Sequence, residues 1–228
     1  MKIEKFNNIT LVNADYIDYL DLKTKYDFLF LDPPFDIYKD IQLPSFNSCV
    51  AFTNWQNRGF VTNQLGEPRI EMIWHFEDGR WVSHNMPRIT HENILIYGDT
   101  GNADVGNKNS LHGSKIKKGT SSIGKSKLGK RVYEPKQRKQ LNSVLCYPRN
   151  VSSDLGVWSK PTNLIFNILE FVGQNNVIDP FMGSGTAAIV SLKLDLNYIG
   201  IEKDKSHFDL SCKRIENFLN QKDFFLNY

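Results

Sequence analysis

An α/β protein built on a doubly wound, mostly parallel sheet is predicted by three stretches of this chain. Val177-Ile178-Asp179-Pro180-Phe181-Met182-Gly183-Ser184-Gly185-Thr186 is a β-branched run that ends at an acid and passes into a Gly-rich turn, and Ala187 to Leu194 suits an amphipathic helix. Phe28-Leu29-Phe30-Leu31-Asp32-Pro33-Pro34-Phe35 is a second apolar run ending at an acid. Tyr198-Ile199-Gly200-Ile201-Glu202 is a third. Nearly unbroken apolar runs suit parallel strands covered on both faces, and ligands bind beyond the carboxyl ends of such strands.

The other elements follow in order. Ile9 to Asp15 reads as a short strand ending in an acid, and Tyr16 to Leu22 as a short helix with Ile17 and Leu20 facing a core. After the strand Tyr26 to Leu31, residues 36–49 read as a loop and a poor helix. Cys49 to Thr53 is the next strand, followed by a short helix around Gln56 to Leu65. Ile70 to Phe76 and Glu92 to Gly98 read as an antiparallel closing pair, with Glu77-Asp78-Gly79-Arg80 as a turn between them. Trp81 to His91 is long for a hairpin connection. Arg88 and His91 there are either exposed loop residues or residues that reach a ligand. Pro161 and Gly173 punctuate the helix Thr162 to Val172, and Asp204 to Asn220 forms a closing helix with Phe208, Cys212, Ile215 and Leu219 at core spacing.

Two of these strand ends carry chemistry. Gly183-x-Gly185-x-x-Ala188 followed by Glu202 fits a loop on which an adenosine-type cofactor lies, with the acid on ribose hydroxyls. A Gly-rich connection without a ligand fits it as well, and so does the fingerprint of a nicotinamide oxidoreductase. Asp32-Pro33-Pro34-Phe35 separates these readings. Two prolines stiffen the turn and withdraw two N–H donors. The Asp32 carboxylate and the Pro33 carbonyl are then two acceptors beside a flat aromatic face, which suits the exocyclic amine of a planar base. A dehydrogenase gives this tetrapeptide no role.

Asp-Pro-Pro-Phe followed by Asp-Pro-Phe-Met-Gly-Ser-Gly-Thr resembles the amino-methyltransferases of DNA, which act on adenine N6 or cytosine N4. The tetrapeptide precedes the cofactor loop, as in the permuted β class of that family. The likeness is strongest over residues 7–35 and 158–217. It implies a Rossmann-like methyltransferase sheet with an added antiparallel strand pair and a basic insert, and S-adenosyl-L-methionine as cofactor. Catalytic roles pass to Asp32, Pro33, Pro34 and Phe35. Cofactor contacts pass to Asp15, Lys160, Asp179, Pro180, Phe181, Gly183, Ser184, Gly185, Thr186 and Glu202. The segments around two of these residues, Asp15 and Lys160, depart from the family pattern. Ala14 replaces a glycine before Asp15, and of a His-Pro-Thr-x-Lys-Pro-like segment only Lys160-Pro161 remains, with Gly156 and Trp158 at the His and Thr positions. An acid at the head of the tetrapeptide points to adenine N6, since the cytosine-N4 members more often begin with Ser; cytosine remains the alternative.

Charge is distributed unevenly. From Lys108 to Lys139 there are eleven bases and one acid, Glu134, a local charge of +10 that leaves −7 on the rest of a chain whose net charge is +3. Between Asp99 and Lys130, glycines recur among Ser, Asn and Lys with few apolar residues, too few to offset the entropy of ordering. The segment reads either as a solvated basic loop or as a surface for a polyanion. By resemblance, residues 99–149 are the target-recognition insert, which divides a catalytic domain made of residues 1–98 and 150–228. Lys115, Lys117, Lys118, Lys125, Lys127, Lys130, Arg131, Lys136, Arg138 and Lys139 are its candidate contacts to double-stranded DNA.

Cys49, Cys146 and Cys212 have no metal or redox spacing, and neither have the five histidines, so no metal is expected. No run approaches the ~20 apolar residues of a membrane span, and Met1 to Lys5 lacks an apolar signal region. The expectation is a soluble, cytoplasmic protein of prokaryotic or phage type. The resemblance adds a homodimer and a cognate restriction nuclease as expected partners.

Overall fold

The structure is a computed structural model that describes residues 1–80, 84–85, 87–100, 141–149 and 159–226. All of the insert residues named above, Lys115 to Lys139, lie outside the described residues, as do Gly156 and Trp158.

Among the described residues, nine strands form one sheet. In chain order they are β1 (Lys2–Phe6), β2 (Ile9–Asn13), β3 (Tyr26–Leu31), β4 (Phe46–Thr53), β5 (Ile70–Arg80), β6 (Ile89–Gly98), β7 (Val144–Cys146), β8 (Asn176–Asp179) and β9 (Asn197–Glu202). Across the sheet the order is β1-β2-β9-β8-β3-β4-β6-β5-β7. The middle five, from β2 to β4, are mutually parallel. β6 runs antiparallel to β4, and β5 antiparallel to β6. The mostly parallel, doubly wound sheet with an antiparallel pair is therefore the observed architecture.

The apolar runs sit where their composition requires. Phe28 and Phe30 of β3 face one side with Val50, Phe52, Ile94 and Ile96, covered by the helices α3 (Thr162–Val172), α4 (Thr186–Leu194) and α5 (Lys205–Leu226). Leu29 and Leu31 face the other side with Cys49, Ala51, Leu95 and Ile178. That second face is covered by α1 (Tyr16–Tyr19), the 3₁₀ turn η1 (Phe35–Lys39) and α2 (Arg58–Leu65), which contribute Tyr38 and Val61. Alternation along β3 continues past Leu31, so Asp32 emerges on the side of α3.

Several elements differ from expectation. Lys2–Phe6 forms an edge strand antiparallel to β2, although its alternating charges hide it in the sequence. The helix after Asp15 has only four residues, capped by the Asp15 carboxylate, which accepts from the Ile17 N–H at 3.3 Å. Glu77 to Arg80 is part of β5 and not a turn: β5 and β6 pair across a register shift between His75 and Arg80. Gly79 serves that close approach, since a Cβ there would lie 2.6 Å from Thr90 Cγ2 and 2.7 Å from the Ile89 carbonyl. Residues 144–146, beyond the basic run, join the sheet beside β5.

Among the described residues, no helix is long and apolar enough to cross a membrane, and no group of three His, Cys, Asp or Glu side chains is arranged to hold a metal ion.

Candidate active site

Strand order places the site. From β8 the chain steps outward to β9, while β3 and β4 lie on the other flank. The reversal falls between β8 and β3, where the connections on the two sides leave a crevice. Asp32 follows β3 and Asp179 ends β8, so the two acids that head the sequence motifs stand on neighbouring strands at that crevice.

A cavity of about 1130 Å³ opens there. Of the fourteen residues expected to be catalytic or to bind cofactor, every one lines it except Gly185. Gly185 serves the loop itself: with φ +74° it begins α4, and a Cβ there would meet Ser211 at 3.0 Å. Ser211 Oγ in turn donates to the Gly183 carbonyl at 2.7 Å, and Arg214 donates to the Ser184 carbonyl, so α5 pins the loop from behind. Gly183 has φ +53°, and a Cβ on it would have nothing nearer than the Phe181 carbonyl at 3.9 Å. The absent side chain leaves open space beside the cavity, as close approach of a ligand to the backbone requires.

Glu202 closes the opposite wall. Its Oε2 accepts from the Gly183 N–H at 2.9 Å and its Oε1 from the Asp204 N–H at 2.7 Å. Each oxygen keeps lone-pair capacity for a ligand hydroxyl. The Phe181 ring lies 4.9 Å from that of Tyr16, an apolar patch between the loop and α1. Asp15 is held by Lys203 at 2.9 Å, and that hydrogen bond keeps its carboxyl below the ordinary range.

Asp179 lines the cavity as well, and its carboxyl also braces the loop. It is 1% exposed, accepts from the Phe181 N–H at 3.0 Å and from the Tyr198 hydroxyl at 2.7 Å, and burial pushes its carboxyl up to about 7. Each of its oxygens holds one bond of the loop's own framework. A Cβ on Gly200 would lie 2.6 Å from the Tyr198 ring, so that glycine makes room for the tyrosine.

At the other end, Asp32 is paired with Lys160, whose Nζ lies 2.7 Å from Asp32 Oδ1 and 3.3 Å from Glu92 Oε2. The same ammonium lies over the rings of Phe52, Trp74 and Phe35, at 5.0, 5.7 and 5.9 Å from their centroids. Burial alone would lower the Lys160 pKa, but Asp32 and Glu92 outweigh it and hold it above the ordinary value. Among the described residues, no hydrogen bond reaches Asp32 Oδ2 and no backbone N–H reaches the Pro33 carbonyl. Both acceptors are available to a donor in the cavity. The arrangement can bind an amine through two N–H bonds at one end and a nucleoside-like ligand at the other.

Glu92, Asn54, Trp74, Arg149 and Tyr16 also line the cavity and were not found by sequence reasoning. Glu92 lies inside β6, just before its apolar run Ile94 to Tyr97, where an acid reads in the sequence as the end of a loop. Arg88, just before β6, donates from its side chain to the Gly79 carbonyl at 2.9 Å, and His91 lies opposite His75 in the β5·β6 ladder.

Comparison with known proteins agrees with this geometry. The chain is 38% identical over 58 residues to the type II methyltransferase M.HinfI of Haemophilus influenzae, which is 25% of this chain and 16% of that protein. It is 48% identical over 44 residues to the type II methyltransferase M.BglI of Bacillus subtilis, 19% of this chain and 13% of that one. The chain thus spans only a small part of these relatives. The fold is similar to that of M1.HpyAVI solved as a complex with SAM (TM-score 0.59, 21% identity, 91% of this chain and 98% of that one). It is also similar to the cytosine-N4-specific PvuII DNA methyltransferase (TM-score 0.56, 10% identity, 94% and 92%). Residues 59–213 match the sequence model of the family described as DNA methylase. That match spans more than half of the chain, so with Asp32 and the glycine loop facing one cavity, this chain belongs to the amino-methyltransferases of that DNA methylase family.

Proposed function

We propose that the protein transfers a methyl group from S-adenosylmethionine to the exocyclic N6 of adenine in DNA. The observation that carries this reading is the pair of open acceptors, Asp32 Oδ2 and the Pro33 carbonyl, in the same cavity as the glycine loop and Glu202.

The residues fit the cofactor. Gly183 leaves space for close approach, Glu202 offers acceptors for ribose hydroxyls, and Phe181 with Tyr16 offers an apolar surface for a planar ring. Ser184, Thr186 and Asp15 complete that end. S-adenosylmethionine supplies an electrophilic methyl on a sulfonium. The cavity volume of about 1130 Å³ exceeds the usual range for a single small ligand, about 300–1,000 Å³, which leaves room for a base beside it.

The protein's part in the chemistry is placement. The lone pair of an aromatic amine is delocalised into its ring. Two hydrogen bonds, to Asp32 and to the Pro33 carbonyl, favour a tetrahedral nitrogen whose lone pair is localised and faces the methyl group. Holding that nitrogen in line with the methyl group would supply roughly 7–11 kcal/mol of the barrier: the N–C bond forms as the S–C bond breaks, the neutral thioether leaves, the methylated nitrogen then gives up one proton to solvent, and no covalent enzyme intermediate is needed. Phe35 stacks on the ring. A base inside a duplex cannot reach Asp32, so it is flipped out at a cost of a few kcal/mol.

The acid at the head of the tetrapeptide favours adenine over cytosine, by resemblance to the adenine-N6 members. The basic insert, residues 99–149, would supply target recognition through Lys115 to Lys139, by neutralising phosphates. A type II methyltransferase role is in keeping with the names of the relatives, and the resemblance to the permuted class adds a cognate restriction nuclease and a homodimeric enzyme to the same reading. Incubation with labelled S-adenosylmethionine and mixed-sequence duplex DNA, then digestion to nucleosides and mass analysis, tests it. N6-methyladenine is expected; N4-methylcytosine would keep the chemistry and reverse the base, and no methylated nucleoside despite cofactor binding would overturn the reading.

A further inference from the structure

β6 runs antiparallel to β4, so it enters the sheet at the edge where the parallel strands leave it, and Asn93 lies opposite Thr53. Its first residues therefore share a rim with Asp32. By alternation Glu92 falls on the face of Ile94 and Ile96, where Phe52, Trp74 and α3 pack. There the Lys160 ammonium lies between two carboxylates, 2.7 Å from Asp32 and 3.3 Å from Glu92, within 6 Å of three aromatic rings. The three side chains are 13%, 20% and 17% exposed, which limits screening by water. One cation and two anions leave a net charge of −1.

Such a triad does not recommend itself as a source of stability, because desolvation of buried ions cancels most of their attraction. An aliphatic residue at position 92 would suit the strand. Glu92 Oε2 is cut off from solvent and makes no hydrogen bond of good geometry, only the ion pair. Taking the methyl-transfer reading as its basis, we propose that Glu92 is a positioning residue for that reaction. Through Lys160 it fixes Asp32 with Oδ1 on the ammonium and Oδ2 towards the substrate amine, and it keeps a net negative charge beside the cation that the reaction passes from sulfur to nitrogen. Without Glu92, Asp32 and Lys160 form a neutral pair, and the amine must compete with the ammonium for the carboxylate.

Burial raises the Glu92 carboxyl, against the opposing pull of Lys160. The other charged or titratable groups facing it are Asp32 from β3, Arg149 after β7 and Tyr38 from η1. Glu92 must be ionised to act, so the rate is lost as pH falls through its titration.

The test uses the full chain carrying Glu92→Gln or Glu92→Asp. Calorimetry gives the affinities for S-adenosylmethionine and for its neutral thioether product, and a transfer assay gives kcat, KM for DNA and the pH profile. The expected result for Glu92→Gln is a preference for the sulfonium over the thioether reduced by about tenfold, kcat reduced by about tenfold or more, and KM for DNA within about threefold. The acid limb of kcat moves to lower pH, and Glu92→Asp recovers part of both effects. Equal losses for the two ligands, or a fall in kcat with the preference and the acid limb unchanged, would show a merely structural role and overturn the proposal; so would wild-type behaviour of Glu92→Gln. Wild-type protein that binds cofactor but methylates no DNA would overturn the proposed function alone, since the affinity ratio still tests Glu92.

Discussion

Two acid–proline steps stand at the carboxyl ends of neighbouring parallel strands, Asp32-Pro33 after β3 and Asp179-Pro180 after β8, and their surroundings are opposite. Asp32 is 20% exposed in the cavity, with one oxygen on Lys160 and the other open. Asp179 is 1% exposed, with its oxygens taken by the Tyr198 hydroxyl and the Phe181 N–H. The next residues make the difference. A second proline after Pro33 withdraws another donor and sends the chain into η1, away from the carboxylate. After Pro180, the Phe181 N–H turns back onto Asp179 and the chain enters the glycine loop. One pattern therefore gives an open acceptor in the first case and a brace in the second.

The comparison can be broken at its strongest point by Asp32→Ala. Methyl transfer to DNA should fall by about 10²–10³-fold or more, measured with labelled cofactor, while thermal unfolding changes little. On the other side, Gly200→Ala should act through the brace. The new methyl would lie 2.6 Å from Tyr198 Cε1 and 2.7 Å from Met182 Sδ, so Tyr198 has to move off Asp179. A loss of about 1–3 kcal/mol in urea unfolding is expected, as for overpacking in general.

These contrasts show how much could be read from the sequence. β3, β8 and β9 were legible because each is an apolar run closed by an acid, and the glycine turn because only glycine sits easily at φ +53° and +74°. Lys2–Phe6 was not, since at the sheet's edge it alternates charged and apolar residues and only part of it packs. The three residues of β7 are too short for any periodicity to show. Gly79 looked like a turn residue, yet it serves the close approach of β5 to β6, which no local pattern records. Lys160 was found as a motif residue, but its place between Asp32 and Glu92 depends on the antiparallel direction of β6, a property of the fold and not of the segment.

A subtler difference between the two acids concerns pH. Burial raises the Asp179 carboxyl from its ordinary 3.8 to about 7 in the folded protein. Between these values the unfolded chain has released the proton that the folded one keeps, so stability falls as pH rises. Asp179→Asn has no such proton. Its stability relative to wild type should therefore rise as pH is raised from about 4 to about 7, in parallel urea titrations. The smallest effect belongs to a pair outside the site: Arg69→Ala, which removes an exposed ion pair to Asp99, should change stability by less than about 0.5 kcal/mol.

The most direct measurement sets Asp32→Asn beside Asp179→Asn and determines, for each, the affinity for S-adenosylmethionine and the rate of transfer to duplex DNA. Asp32→Asn removes the same unit of negative charge as Glu92→Gln, so it should bind the cofactor within about tenfold of wild type, and at saturating cofactor it should transfer at least about a hundredfold more slowly, whereas Asp179→Asn should keep most of its transfer rate once cofactor is saturating. Asp32→Asn whose transfer rate returns when cofactor is saturating, or Asp179→Asn that binds normally and does not transfer, would contradict the division of roles between the two strand ends.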